Sequence, residues 1–345
     1  MHYLVLGTGA VGGMIGAQLS QAGFEVTFID RSEVADQIRN DGLHVLGGSK
    51  PIHLTNPKVI TNLAQIPDDH KPNAVVLAVK TYDAVAAAKM IRQRWPKPPL
   101  VISIINGIGV EEGLEEILGS NRVLAATLTS AIQKINVGVL RIEKSRGTGL
   151  AASHPLAGEI AAEWKQADLN PHLYPHAPQM KWSKLLTNLI SNATSAITGL
   201  PAGQVYRHRG LYRLEIESLR EAVRVMNALG FKPHNLPGVP VRLLSEAIFF
   251  PVRLIQPFLR RLVASGRGDK WPSFYYDVGR GRSEVEWLNG AVVDHGHRLG
   301  VPTPANTVLT EVLSRLIAGD NELETYRRSP MALIEAARQH QVPGF

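Results

Sequence analysis

The sequence predicts an α/β fold: a doubly wound sheet at the N-terminus followed by a mainly α-helical C-terminal domain. Three observations carry this. Short apolar runs alternate with helical stretches through the first half, a glycine cluster separates the first run from the first helix, and beyond residue 178 the apolar period turns helical and stays so. Strand–helix alternation is the mark of a parallel sheet covered by helices on both faces.

The strand candidates are His2–Leu6, Glu25–Ile29, Ala74–Val79, Leu100–Ile104 and Val123–Ala126, several of them nearly continuous Val, Ile and Leu. Such runs suit strands buried on both faces. Helix candidates between them are Ala10–Ala22, Asp83–Trp95 and Glu111–Leu118. Ala131–Leu150 has a looser β pattern with several glycines, expected to finish the sheet with antiparallel strands. The proline-rich stretch from Asn170 to Pro178 reads as the interdomain linker. Helices are then expected at Gln179–Ile197, Leu211–Leu229, Arg242–Phe250, Glu284–Leu299, Thr307–Ala318 and Pro330–Gln339, with Gly230 and Gly300 at C-cap positions. A chain of 345 residues, 44% hydrophobic and 19% charged, accommodates two such domains, expected at 1–176 and 177–345.

The absence of cysteine excludes a disulfide framework, a thiolate zinc site and a cysteine nucleophile. No secretory pattern and no uninterrupted membrane-length apolar stretch is seen, so a cytoplasmic location without membrane attachment is expected. The most apolar window, Ala247–Ala264, is interrupted by Pro251, Arg253, Pro257, Arg260 and Arg261. His295 and His297 are the one H-x-H pair, but at i and i+2 on a helix they point apart, and no metal site is expected.

Gly7-Thr8-Gly9-Ala10-Val11-Gly12 forms G-x-G-x-x-G at the end of a strand and the start of a helix. Gly7 permits the tight turn, Gly9 the approach of a pyrophosphate, and Gly12 close packing of helix on strand. The helix start, including Ala10 and Val11, offers unpaired N–H groups and a positive dipole end to phosphate. The following strand ends at Asp30, about 20 residues on, where a ribose-binding residue is expected. This is the fingerprint of a Rossmann dinucleotide-binding domain. Asp30 would accept from a ribose 2′-OH and favours NAD, whereas Arg31 would hold a 2′-phosphate and favours NADP. Lys80, just past a later strand, adds a second cation. The two cations favour NADPH and leave NADH open. The formal charge of +7 is scattered rather than interleaved with aromatics, which fits an anionic cofactor and substrate better than nucleic acid.

In the predicted helix Gln179–Ile197, Lys184, Asn188 and Asn192 recur at i, i+4 and i+8 among leucines, so they share one face. Asparagine is a poor helix-interior residue, and two aligned here ask for a partner, although an ordinary solvated face is the plain alternative. Ketone reduction needs a proton for the developing alkoxide. A lysine ammonium supplies it, and asparagine amides orient substrate oxygens.

Taken together, the chain resembles the ketopantoate reductase (2-dehydropantoate 2-reductase) family over nearly its whole length. The resemblance rests on GTGAVGG, on Asn106-Gly107 at a strand end, on K-L-x-x-N-x-x-x-N from Lys184 to Asn192, and on Ser273 to Gly290. That last segment is similar to the family's S-x-x-x-D…G-R-x-T-E pattern. The resemblance implies Lys184 as proton donor, with Glu284 binding the substrate hydroxyl and holding the lysine. It implies Asn106 beside the nicotinamide and the reacting carbonyl, and Asn188, Asn192 and Ser273 bonded to substrate. The implied reaction is NADPH-dependent reduction of ketopantoate to pantoate, a step toward pantothenate and coenzyme A. The chain departs from the pattern at Ser283, which replaces a threonine, in a shorter loop between Asp277 and Glu284, and in an extra segment around Ile248–Ala264. A reductase of another 2-oxo or hydroxy acid, or a non-catalytic dinucleotide sensor, remains an alternative. The partner expected is a small 2-oxo acid, and a homodimer is left open.

Overall fold

The computed structural model of the chain describes residues 1–266, 271–319 and 323–345. They form two compact units, Met1–Lys181 with Leu236–Val239, and Trp182–Asn235 with Pro240–Phe345.

The first unit runs β1 (His2–Leu6), α1 (Ala10–Gln21), β2 (Glu25–Ile29), α2 (Ser32–Asp41), β3 (Leu43–Gly47), β4 (Ile52–Leu54) and β5 (Lys58–Ile60). It continues with β6 (Ala74–Leu77), α3 (Ala84–Arg94), β7 (Leu100–Ser103), α4 (Val110–Leu118) and β8 (Val123–Leu128). Then follow β9 (Ala131–Asn136), β10 (Val139–Lys144), β11 (Thr148–Ala151), α5 (Ala157–Gln166) and β12 (Pro171–Tyr174).

Among the described residues the main sheet has eight strands in the order β12-β11-β8-β7-β6-β1-β2-β5. Its pairs are parallel except β8 with β11. Tyr3, Leu4, Val5, Val75, Val76, Val101 and Ile102 are fully buried, as central strands with both faces covered require. Chain order reverses at β1, which lies between β6 and β2.

Two expectations are corrected here. The 131–150 stretch does not simply finish the main sheet. Only β11 joins it, while β9 and β10 pair with each other and, through β3, with β4 in a separate four-stranded sheet. On β10, buried Leu140 and Ile142 alternate with exposed Arg141 and half-buried Glu143, the pattern of a sheet with one solvated face. The 170–178 stretch is no linker either. It holds edge strand β12, paired in parallel with β11, and the start of a helix. Proline is tolerated there because it begins an edge strand.

The second unit is helical, as expected. The chain enters it within α6 (Ala177–Leu189) and continues through α7 (Asn192–Thr198), α8 (Ala202–Val205), α9 (Arg209–Ala228), α10 (Val241–Ala247) and α11 (Val252–Gly266). Next come α12 (Asn289–Leu299), α13 (Pro304–Ile317), α14 (Leu323–Arg328) and α15 (Pro330–Gln339). α9 is the spine, packing on α10, α11, α12, α13 and α15. Its apolar stripe includes Leu211, Leu214, Leu219, Ala222 and Met226, all buried. The α13 N-terminus is capped from across the bundle. Buried Glu221 on α9 accepts the backbone N–H of Ala305 at 2.7 Å and of Asn306 at 2.9 Å, and the Asn306 amide at 2.7 Å. No helix among the described residues is long and apolar enough to cross a membrane.

The single helix expected over Gln179–Ile197 is two helices. The chain breaks at Ile190–Ser191, where Ser191 adopts φ +53°. The cause is Glu215 on α9. Its carboxylate accepts the Ser191 N–H at 2.7 Å, a donor that a continuous helix would give to the carbonyl of Thr187. The same carboxylate takes the Thr194 hydroxyl. Likewise the expected helix from Glu284 starts later, because a 3-10 turn over Val285–Trp287 precedes α12.

Candidate active site

In the first unit, the glycine loop follows β1, Arg31 follows β2, Lys80 follows β6 and Asn106 follows β7. These strands are neighbours in the order β7-β6-β1-β2, so all the candidate cofactor residues stand at the carboxyl ends of adjacent parallel strands. That edge, at the reversal of strand order, is where ligands bind in open α/β sheets.

The loop has the geometry its glycines were expected to serve. Gly7 has φ +97°. A Cβ on Gly12 would lie 2.0 Å from the Gly7 carbonyl oxygen and 2.9 Å from the Ala78 Cβ, so only glycine lets α1 lie so close to the sheet. A Cβ on Gly9 would meet nothing within 4 Å, which leaves open space beside the backbone. Gly9 is also the N-cap of α1 and brings no side chain to it. Ala10 and Val11, in the first turn, are half-buried.

Asp30 is turned into this loop. One carboxylate oxygen accepts the Thr8 N–H at 2.7 Å and the Thr8 hydroxyl at 2.5 Å, and the other accepts the Arg31 N–H at 2.8 Å. The Arg31 side chain is exposed and Lys80 is half-buried.

In the second unit, Lys184 and Asn188 remain one turn apart on α6, both half-buried. The break at Ser191 takes Asn192 off their row and makes it the first residue of α7. This corrects the continuous polar face read from the sequence. The structure instead joins Asn192 to another candidate. Its amide nitrogen lies 3.2 Å from the Ser273 hydroxyl, and its amide oxygen accepts the Phe274 N–H at 3.1 Å. Asn192 is buried and Ser273 is exposed, in a 3-10 turn over Ser273–Tyr276. Glu284 is buried, 6% exposed, immediately before the turn Val285–Trp287.

Two further residues were missed from sequence. Glu215 sets the α6–α7 break, and nothing local in a helix marks a carboxylate as another helix's cap. Lys181 continues the Lys184–Asn188 stripe at i−3, a signal that was available. It is buried against the Asn106 loop, donating to the Ile105 carbonyl and to Glu111 Oε1 at 2.8 Å.

Comparison with known proteins gives a consistent answer. The pattern of the family described as Ketopantoate reductase PanE/ApbA matches residues 3–153, and that of its C-terminal part matches residues 177–316. A 2-dehydropantoate 2-reductase of Pyrococcus horikoshii is 26% identical over 319 residues, covering 90% of this chain and 95% of the relative. One from Halobacterium salinarum is 25% identical, covering 91% and 98%. The crystal structure of a PanE/ApbA family ketopantoate reductase from Ralstonia eutropha JMP134 matches with TM-score 0.77 and 26% identity, covering 94% of this chain and all of that one. D-mandelate dehydrogenase, solved with NADH and anilino(oxo)acetate, matches with TM-score 0.74 at 20% identity and shares the fold. The chain belongs to the ketopantoate reductase PanE/ApbA family, whose members are dinucleotide-dependent oxidoreductases acting on 2-dehydropantoate.

Proposed function

We propose that the chain reduces 2-dehydropantoate to pantoate with NADPH, Lys184 giving the proton. The observation that carries this reading is the gathering of the glycine loop, Arg31, Lys80 and Asn106 at the ends of four adjacent strands. The open space at Gly9 and the side-chain-free N-cap of α1 fit a pyrophosphate. Asp30, engaged with Thr8 and the Arg31 N–H, directs its charge into the loop, which favours a 2′-phosphate on Arg31 over a ribose hydroxyl on Asp30. The dinucleotide, when bound, supplies the hydride.

The chain's own groups do the rest. Loop N–H groups hold the pyrophosphate, and Arg31 and Lys80 add positive charge for the adenosine end. Asn106 orients the reacting carbonyl. Lys184 stabilises the developing alkoxide and protonates it, and Glu284 holds that ammonium and the substrate hydroxyl. Asn188, Asn192 and Ser273 bind the remaining substrate oxygens, with Asn192 and Ser273 already joined.

The test is turnover of NADPH by the purified chain against a panel of 2-oxo acids. Absence of turnover with 2-dehydropantoate overturns the substrate; faster turnover with NADH overturns the cofactor. Arg31→Ala is expected to raise KM for NADPH by about tenfold, the ~1.4 kcal/mol of one phosphate contact, and leave KM for NADH unchanged. One observation favours a second reading, a bulkier 2-oxo acid. Trp271 and Tyr275 stack at 4.0 Å on either side of Ser273 in sequence, and Tyr276 is exposed next to them. Preference for an aromatic 2-oxo acid in the same panel would select it.

A further inference from the structure

We propose that the buried Lys181–Glu111 pair is a positioning device that fixes the direction of Asn106; this rests on the role given to Asn106 above. The Lys181 and Glu111 side chains are 6% and 12% exposed, and they meet at 2.8 Å. A buried ion pair is poor value for stability, since a well-packed apolar pair of similar volume serves as well. Its reason is therefore sought in what it holds.

It holds the loop between β7 and α4. Lys181 donates to the Ile105 carbonyl, the oxygen of the peptide group preceding the Asn106 Cα. The peptide group following that Cα is held as well, because the buried Thr81 hydroxyl donates to the Asn106 carbonyl at 3.0 Å. Peptide groups are planar, so orienting both neighbours of one Cα fixes its φ and ψ and hence the direction of its side chain. The Glu111 oxygen that receives Lys181 also receives the Ser103 hydroxyl at 2.7 Å, which ties the pair to the end of β7. Lys181 and Thr81 thus hold the two peptide groups that flank the Asn106 Cα, and Glu111 and Ser103 stand behind Lys181. Reacting groups tolerate little displacement: an error of about 1 Å costs on the order of 100-fold in rate.

The experiment compares Lys181→Met, Lys181→Arg and Thr81→Val with the unaltered chain. Lys181→Met is expected to keep dinucleotide affinity within about twofold and to lower kcat by ~10–100-fold, with little change in KM for the oxo acid. Lys181→Arg, which also donates to both acceptors, is expected to recover most of that loss. In the dinucleotide-free protein, amide exchange across residues 104–107 is expected to quicken by about tenfold or more in Lys181→Met, while β1 and β6 amides stay protected. If Lys181→Met does not fold, Thr81→Val releases the opposite pin without stranding a charge, and the same loss of kcat with retained dinucleotide affinity is expected. Unchanged exchange at 104–107, or a kcat within about twofold in the folded variant, overturns the proposal. If the unaltered chain fails to turn over 2-dehydropantoate, the site reading falls, while the exchange measurement still decides whether Lys181 pins the loop.

Discussion

The glycine loop after β1 and the break between α6 and α7 both present polar groups to a candidate ligand, but they are built on different principles. The loop is local. Gly7, Gly9 and Gly12 shape it by what they lack, and its tie to Asp30 comes from the next strand of the same unit. The break is imposed from outside: Glu215, on a different helix, takes a donor that α6 would otherwise keep. The first kind of site depends on its own glycines, whereas the second depends on one remote carboxylate. On the function proposed above, the dinucleotide falls to the local construction and Asn192, with its substrate contacts, to the remote one.

The comparison is broken most forcefully at α6. Lys184→Ala is expected to lower kcat by at least ~100-fold while dinucleotide affinity, governed by the loop, stays unchanged. Steady-state kinetics beside a direct binding titration measure both. Unaltered turnover would remove the lysine from the chemistry and leave the dinucleotide site intact as a binding module.

Glu215→Ala tests the remote construction itself. It strands the buried Ser191 N–H and Thr194 hydroxyl, at an expected cost of about 3 kcal/mol in unfolding free energy. In the folded fraction, kcat should fall as Asn192 loses its place at the start of α7, with dinucleotide affinity retained. Denaturant unfolding and kinetics on the same preparation check it, and equal loss in both functions would mean the two sites are not separable.

Legibility from sequence follows the same division. β1, β2, β6, β7 and the glycine fingerprint were readable because their signals lie within a few residues of one another and report backbone requirements. The strands β3 to β5 were not readable: β4 and β5 are three residues long, and β3, Leu-His-Val-Leu-Gly, lacks the continuous apolar run of β6 and β7. The Lys184–Asn188–Asn192 row was read as one helix face because local periodicity cannot register a competing acceptor on α9. Asn192 and Ser273 were both named as candidates. Their meeting across 81 positions was a fact of packing that no spacing carries. Lys181 differs: its i−3 spacing from Lys184 is legible, and only its partner Glu111, 70 positions away, is not.

A second remote carboxylate sharpens the point through pH. Burial pushes Glu221 from 4.5 up to about 7, against three hydrogen bonds at the α13 N-terminus that favour its charged form. The folded state thus holds this proton more tightly than the unfolded chain. Its contribution to stability is complete below pH 4.5 and is lost as pH rises through about 7. Wild-type stability relative to Glu221→Gln should fall across that window by up to roughly 3 kcal/mol, read from melting curves at stepped pH. A difference that does not vary with pH would show that the carboxylate is charged throughout.

The smallest expected effect on the fold belongs to Gly9. Its φ of −69° and ψ of −167° suit any residue, and an added Cβ meets no atom within 4 Å. Gly9→Ala should therefore leave unfolding free energy within about 0.5 kcal/mol of wild type, the range of a substitution that disturbs no packing. The same methyl would stand where the pyrophosphate approaches the backbone, so dinucleotide affinity should fall by about tenfold or more, ~1.4 kcal/mol of lost contact. Gly12→Ala, by contrast, drives its Cβ to 2.0 Å from the Gly7 oxygen and should destabilise the unit itself. If both variants fold alike and bind alike, the loop is not shaped for a ligand. If Gly9→Ala loses affinity alone, then that glycine is kept for a molecule outside the chain and Gly12 for the chain's own packing.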